Sequence, residues 1–190
     1  MQSFAAPRDG SPREPRVAPG YCSRMTWNPE AGALMHVLFV CTGNTCRSPL
    51  AEAMLRRMAA DHPGLSLEVG SAGVGAAEGS PASEGSYLIG LEHGLDLSGH
   101  RSRPLTAELV ARADLILAMG RRHLDRIAEL GGAGKSALLG EYAGESGRAA
   151  EVADPFGGDL EGYRTTYADL DALLGRVVER IAAEQGRDQR

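Results

Sequence analysis

The sequence predicts an α/β fold: a three-layer sandwich around a central four-stranded parallel sheet. Three observations carry this expectation. Short, continuous apolar runs recur at 36–41, 65–71, 114–119 and 136–139, the pattern of strands buried on both faces. Segments with helical apolar spacing lie between them, so strand and helix alternate along the chain. Polar, glycine-containing loops follow the strands, and in such sheets ligands bind beyond the strands' carboxyl ends.

Taken in order, residues 1–34 hold prolines, glycines and arginines without apolar periodicity or the apolar core of a secretory signal. They are expected to form a disordered tail. Met35 stands directly before the first strand as a candidate start, which leaves 35–190 as the folded domain. After the strand at 36–41, Ser48 is expected as a helix N-cap, with Pro49 at the first helical position and Glu52 in the first turn. Leu50, Met54, Leu55 and Met58 recur at helical spacing until Pro63-Gly64. The strand at 65–71 leads into a loop, Ala72 to Gly75. Residues 81–93 read as a helix with Leu88 and Leu91 on its apolar side, stopped by Gly94. Residues 95–105 connect to the next helix and carry His100, Arg101 and Arg103. Thr106 opens that helix, with Leu109 and Val110 on one face. A strand at 114–119, a helix at 121–130 and a short strand at 136–139 follow. A loop at 151–158 contains Asp154-Pro155-Phe156-Gly157-Gly158. A helix from Leu160 to about Ala183 closes the domain, with Tyr163, Tyr167, Leu170, Leu174, Val177 and Ile181 as its apolar stripe.

Composition narrows the function classes. The chain has 25 acidic and 20 basic residues, for a formal charge of −5, and Lys135 is its one lysine. A nucleic-acid footprint would need a basic face, so no nucleic-acid partner is expected. No apolar stretch is long enough to span a bilayer, so no membrane partner is expected. Three cysteines, Cys22, Cys41 and Cys46, do not make a disulfide framework. They fit a reducing compartment and a cytoplasmic location.

The chemistry concentrates in Cys41-Thr42-Gly43-Asn44-Thr45-Cys46-Arg47-Ser48, between the first strand and the first helix. The backbone N–H groups of such a loop and the positive end of the helix dipole suit a tetrahedral anion. Thr42, Gly43, Asn44, Thr45, Cys46, Arg47 and Ser48 are therefore the expected phosphate-binding residues. These donors and Arg47 favour Cys41 as a thiolate, the nucleophilic form, while Arg47 can clamp two phosphoryl oxygens at once. Ser48 can donate to the sulfur as it leaves. Cleaving a phosphoryl group also needs a proton for the leaving atom and later a base for water. Asp154 is the expected general acid and base. By contrast, Glu129-Leu-Gly-Gly-Ala-Gly-Lys135-Ser136 only approximates a nucleotide P-loop: Glu129 occupies the first glycine's place and a helix, not a strand, precedes it. No metal or other cofactor is expected.

C-T-G-N-T-C-R-S-P-L-A-E, S-A-G at 71–73, H-R-S-R at 100–103, A-D-L-I-L-A-M and D-P-F-G-G together resemble the low-molecular-weight protein-tyrosine-phosphatase family, over Met35 to about Ala183. The resemblance implies that family's fold and a metal-free cysteinyl-phosphate mechanism with Cys41, Arg47 and Asp154. It also implies a supporting hydrogen-bond network of Asn44, Ser48, Ser71 and His100. Phosphorylated proteins are the implied substrates, of a monomer or weak homodimer.

Within that family, Thr45 stands where tyrosine-specific members usually carry a larger aliphatic residue. C-T-G-N-T-C-R-S is similar to the bacterial protein-arginine phosphatases, in which this threonine favours phosphoarginine. A phosphotyrosine pocket wants aromatic walls. The loop at 74–83 has none, and the acid loop has only Phe156 followed by two glycines. A guanidinium plane stacks on one aromatic wall and pairs with a carboxylate. The expectation is therefore a protein-arginine phosphatase, with Thr45 and Phe156 setting specificity and a tyrosine phosphatase as the alternative. A thiol-coupled arsenate reductase would need further cysteines, and none occurs after Cys46. A non-catalytic phosphoprotein-binding module would lack the nucleophile or the acid. Cys46 is a candidate redox partner of Cys41, with simple packing of the loop as the equal alternative.

Overall fold

The computed structural model describes residues 34–62 and 64–188. The expected tail, apart from Leu34, lies outside the described residues, as does Pro63. Strand β1 (Met35–Cys41) is apolar at nearly every position because both of its faces are covered. Val37, Phe39 and Cys41 join one buried cluster, whereas Leu38 and Val40 join the other. The first cluster is completed by α1 (Arg47–Ala60), α2 (Glu84–Glu92) and the long closing helix α6 (Leu160–Asp188). The second is completed by α3 (Ala107–Arg112) and α4 (Arg121–Glu129). This is the three-layer α/β sandwich expected from the sequence.

The sheet contains β2 (Leu67–Gly73), β1, β3 (Leu115–Ala118) and β4 (Ser136–Leu138) in the order β2-β1-β3-β4, and every pairing is parallel. The chain runs from β1 to one side, then returns to pair β3 on the other. The carboxyl end of β1 is thus the topological switch point, where adjoining loops diverge and leave a crevice. Cys41 occupies that end. After β4, a short helix α5 (Leu139–Tyr142) and a turn at Gly147–Ala150 bring the chain back to the same edge. Val152 N–H donates to the Met119 carbonyl at 3.0 Å, which seats the 151–158 loop beyond β3.

Several local expectations need correction. Ser48 is not the N-cap: α1 begins at Arg47, Cys46 caps it without a side-chain hydrogen bond, and the Ser48 hydroxyl faces Cys41 instead. Glu52 consequently lies beyond the first turn. β2 runs two residues further than expected, so Ala72 and Gly73 are strand and pair with Val40 and Cys41. α2 starts at Glu84, where Ser83 caps it by accepting from Ser86 N–H. Its Leu88 and Leu91 are exposed, and the helix buries Ser86, Ile89 and Gly90 instead. The reason is close packing through glycine: a Cβ at Gly85 would come within 2.5 Å of the Tyr163 ring, and one at Gly90 within 2.5 Å of Leu97. α6 continues to Asp188, and its expected stripe from Tyr163 to Ile181 is buried.

Candidate active site

The loop 41–47 is shaped by what its carbonyls do. The Cys41 carbonyl accepts from Val74 N–H, that of Thr42 from Gly75 N–H and that of Thr45 from Ser83 N–H. The Asn44 carbonyl accepts from His100 Nε2 at 2.7 Å, and the Cys46 carbonyl from the Ser86 hydroxyl. A trans peptide sets the next N–H opposite each carbonyl. With these five carbonyls held outward, the N–H groups of Thr42, Gly43, Thr45, Cys46 and Arg47 turn into the loop. That is an anion cradle, built where α1 adds the positive end of its dipole.

Cys41 Sγ lies at the floor of this cradle. The Asn44 N–H donates to it at 3.2 Å, and the Ser48 hydroxyl stands 3.0 Å away. Asn44 adopts φ 53°, a left-handed conformation that asparagine tolerates better than most residues. Its buried side chain donates to Ser48 Oγ at 2.9 Å and to Ser71 Oγ at 2.8 Å, and its Oδ1 accepts from Arg103 N–H at 2.9 Å. Ser71 passes the chain on by donating to Glu52. The four residues of the implied network, Asn44, Ser48, Ser71 and His100, are therefore together. Glu52 and Arg103 extend it, and neither was assigned to the network from sequence. Glu52 sits one helical turn after Ser48, on the same face of α1.

Arg47 is 4% exposed. Its Nη2 pairs with Asp154 Oδ2 at 2.5 Å, and its Nη1 donates to the Val152 carbonyl at 3.2 Å. Its Nε is buried without a hydrogen-bond partner among the described residues. A buried unsatisfied donor costs about 1–3 kcal/mol, and an anion oxygen in the cradle would relieve it. The Asp154 Oδ1 accepts from Phe156 N–H at 3.3 Å, a local turn that fixes the carboxylate.

Two residues of the α4 N-terminal turn complete the site, and sequence reasoning missed both. His123 is fully buried, with Nε2 3.0 Å from Thr42 Oγ1. Burial first, and then the charges of Arg47 and Arg122, push its imidazole down from 6.5 to about 4. Its Nδ1 has no partner among the described residues. An orphaned acceptor is cheaper than an orphaned N–H, so the neutral ring carries its proton on Nε2 and donates to Thr42. Arg122 Nη2 donates to Thr42 Oγ1 at 3.0 Å and to Asp154 Oδ2 at 3.3 Å. The one available signal was position: these residues follow the carboxyl end of β3 as the cysteine loop follows that of β1.

Thr45 is half-buried, with Oγ1 3.6 Å from Cys46 Sγ. Cys46 Sγ in turn lies 3.6 Å from the Tyr163 hydroxyl. Cys41 and Cys46 are both free and buried. Phe156 is 77% exposed on the 151–158 loop. Among the described residues, no helix is long and apolar enough to cross a membrane.

Comparison with known proteins gives concordant matches. The family model for low molecular weight phosphotyrosine protein phosphatase matches residues 36–187. The chain is similar to a protein-arginine-phosphatase of Geobacillus stearothermophilus, 42% identical over 78% of this chain and 97% of that protein. The solved YwlE arginine phosphatase from Geobacillus stearothermophilus superposes with a TM-score of 0.73 at 41% identity, covering 80% of this chain and 96% of the other. The low molecular weight protein-tyrosine-phosphatase Wzb of Escherichia coli K12 is 36% identical over 79% of this chain and 97% of its own length.

Proposed function

Because the chain belongs to the low molecular weight phosphotyrosine protein phosphatase family and is a protein phosphatase, we propose that it hydrolyses phosphoarginine in proteins through a cysteinyl-phosphate intermediate. The observation that carries the chemistry is the meeting of Cys41 Sγ, the inward N–H groups of its loop, Arg47 and Asp154 at the carboxyl end of β1.

In the first step the Cys41 thiolate attacks phosphorus in line with the leaving nitrogen. An S–P bond forms as the P–N bond breaks, and the electron pair stays on nitrogen, which takes the Asp154 proton. The cradle N–H groups and Arg47 hold the three non-bridging oxygens, where charge develops. Arg47 must trade Asp154 for the phosphoryl group, and its Nε, unpartnered among the described residues, supports that exchange. In the second step Asp154, now a carboxylate, takes a proton from water as the water oxygen attacks phosphorus. The S–P bond breaks, its pair returns to sulfur, and the Ser48 hydroxyl at 3.0 Å stabilises the returning thiolate. Inorganic phosphate leaves.

Selectivity for arginine is supported by Thr45 at the cradle rim, by Phe156 as the acid loop's one aromatic residue, and by similarity to the protein-arginine-phosphatase of Geobacillus stearothermophilus. Turnover of a phosphoarginine protein is compared with that of a phosphotyrosine peptide at matched concentrations. The reading expects at least about tenfold higher kcat/KM on phosphoarginine, or about 1.4 kcal/mol of discrimination. A strong preference for phosphotyrosine would place the protein in the tyrosine branch of the family.

A further inference from the structure

The Asp154 carboxylate is held by two guanidinium groups, and only one of them is needed for phosphate. Arg47 Nη2 and Arg122 Nη2 both donate to Oδ2, at 2.5 and 3.3 Å. The same Arg122 nitrogen reaches Thr42 Oγ1 at 3.0 Å. One Nη2 carries two hydrogens, so it can serve both acceptors at once. Arg122 therefore bridges the cysteine loop, through the residue after the nucleophile, to the acid loop. Beneath it, buried His123 holds the Thr42 hydroxyl from the other side at 3.0 Å. Arg122 is itself 64% exposed, so the bridge lies at the mouth of the cradle, clear of the phosphate-binding floor.

We infer that Arg122 is a positioning residue that keeps Asp154 aimed at the leaving atom once Arg47 has turned to the phosphoryl group. The inference rests on the reading of Asp154 as the general acid. When Arg47 leaves Oδ2, the side-chain contact that remains on that oxygen among the described residues is Arg122. A carboxyl group protonated on Oδ1 still offers Oδ2 as an acceptor, so the Arg122 contact survives protonation. Breaking the bond to phosphorus sends its electron pair to the leaving nitrogen or oxygen, which takes the Oδ1 proton. Arg122 neither gives nor takes a proton in either step. Its contribution is geometric, and acid catalysis is sensitive to misplacement of the donor.

The inference is tested with a series of aryl phosphates of rising leaving-group pKa, reading kcat/KM, which reports the step that forms the phosphoenzyme. Asp154→Asn should lose more activity the poorer the leaving group, the loss growing by about 100-fold along the series. Arg122→Ala should show the same signature at smaller size, its loss growing by about tenfold from the best to the poorest leaving group. Arg122→Lys, which keeps the charge but not the planar fork, should fall between Arg122→Ala and wild type. A uniform Arg122→Ala loss along the series would mean that the residue serves structure alone and would overturn the inference, as would no loss or a gain. A uniform loss for Asp154→Asn would overturn the acid assignment itself and the Arg122 role with it. A graded loss for Asp154→Asn beside an ungraded one for Arg122→Ala would overturn only the latter.

Discussion

Asn44 performs three tasks in the cysteine loop. Its N–H faces the thiol, its left-handed backbone turns the chain, and its amide ties Ser48, Ser71 and the Arg103 backbone together. Two substitutions separate these tasks. Asn44→Gly keeps the backbone freedom but removes the amide, while Asn44→Ala loses both. Each should lower kcat/KM, and Asn44→Ala should be less stable than Asn44→Gly by about 1 kcal/mol, the left-handed penalty of a Cβ. Urea denaturation of the two variants measures that gap; equal stability would mean the conformation is unstrained. At the same scale, His123 titrates near 4 in the folded protein against 6.5 for an ordinary imidazole. Between those values the unfolded chain binds a proton that the folded chain refuses. Stability is therefore full above about pH 6.5 and is lost as pH falls towards 4, by about 3 kcal/mol in all. His123→Gln should flatten the drop in unfolding free energy between pH 7 and pH 4.5, and an unchanged drop would assign it to other groups.

At the scale of elements, β1 and β2 hold the loop through a contact that excludes side chains. Gly73 pairs with Cys41, and a Cβ there would lie 2.5 Å from the Thr42 carbonyl oxygen and 2.9 Å from Asn44 N. Both neighbours are backbone and cannot step aside without moving the cradle. Gly73→Ala should thus cost about 1–3 kcal/mol of stability and impair turnover beyond that loss. Denaturant midpoints and kcat/KM of the folded fraction measure the two effects. The strands were legible in the sequence because both of their faces are buried, which leaves uninterrupted apolar runs. α2 was misread because it packs through Gly85 and Gly90, where the absence of a side chain makes the contact. Leu88 and Leu91 imitate an apolar stripe yet face outward. Ser48 has the chemistry of an N-cap, but its hydroxyl is committed to the thiol, and no local pattern reveals that choice.

For the molecule as a whole, the strand order β2-β1-β3-β4 gathers distant segments at one edge. Cys41 follows β1, Gly73 ends β2, Arg122 and His123 follow β3, and Asp154 arrives from the connection beyond β4. The cysteine motif and Asp-Pro were legible because each has fixed local spacing. Arg122 and His123 were not, because only the assembled sheet brings them to Thr42. Under the proposed reading substrate choice belongs to this scale, because the backbone of Thr45 is tied to the end of the 74–83 loop through Ser83 N–H. Thr45→Ile should move the ratio of kcat/KM towards phosphotyrosine by about tenfold, or about 1.4 kcal/mol, and an unmoved ratio would place selectivity elsewhere on the rim. The most direct measurement is acid quenching of the wild-type enzyme during turnover of a phosphoarginine protein, followed by mass mapping of the peptide that contains Cys41. The account predicts a phosphoryl group on Cys41, absent from that peptide in Cys41→Ala under the same conditions, together with release of inorganic phosphate. Phosphate release with Cys41 never labelled, or labelling of Cys41 by a phosphotyrosine peptide alone, would contradict it.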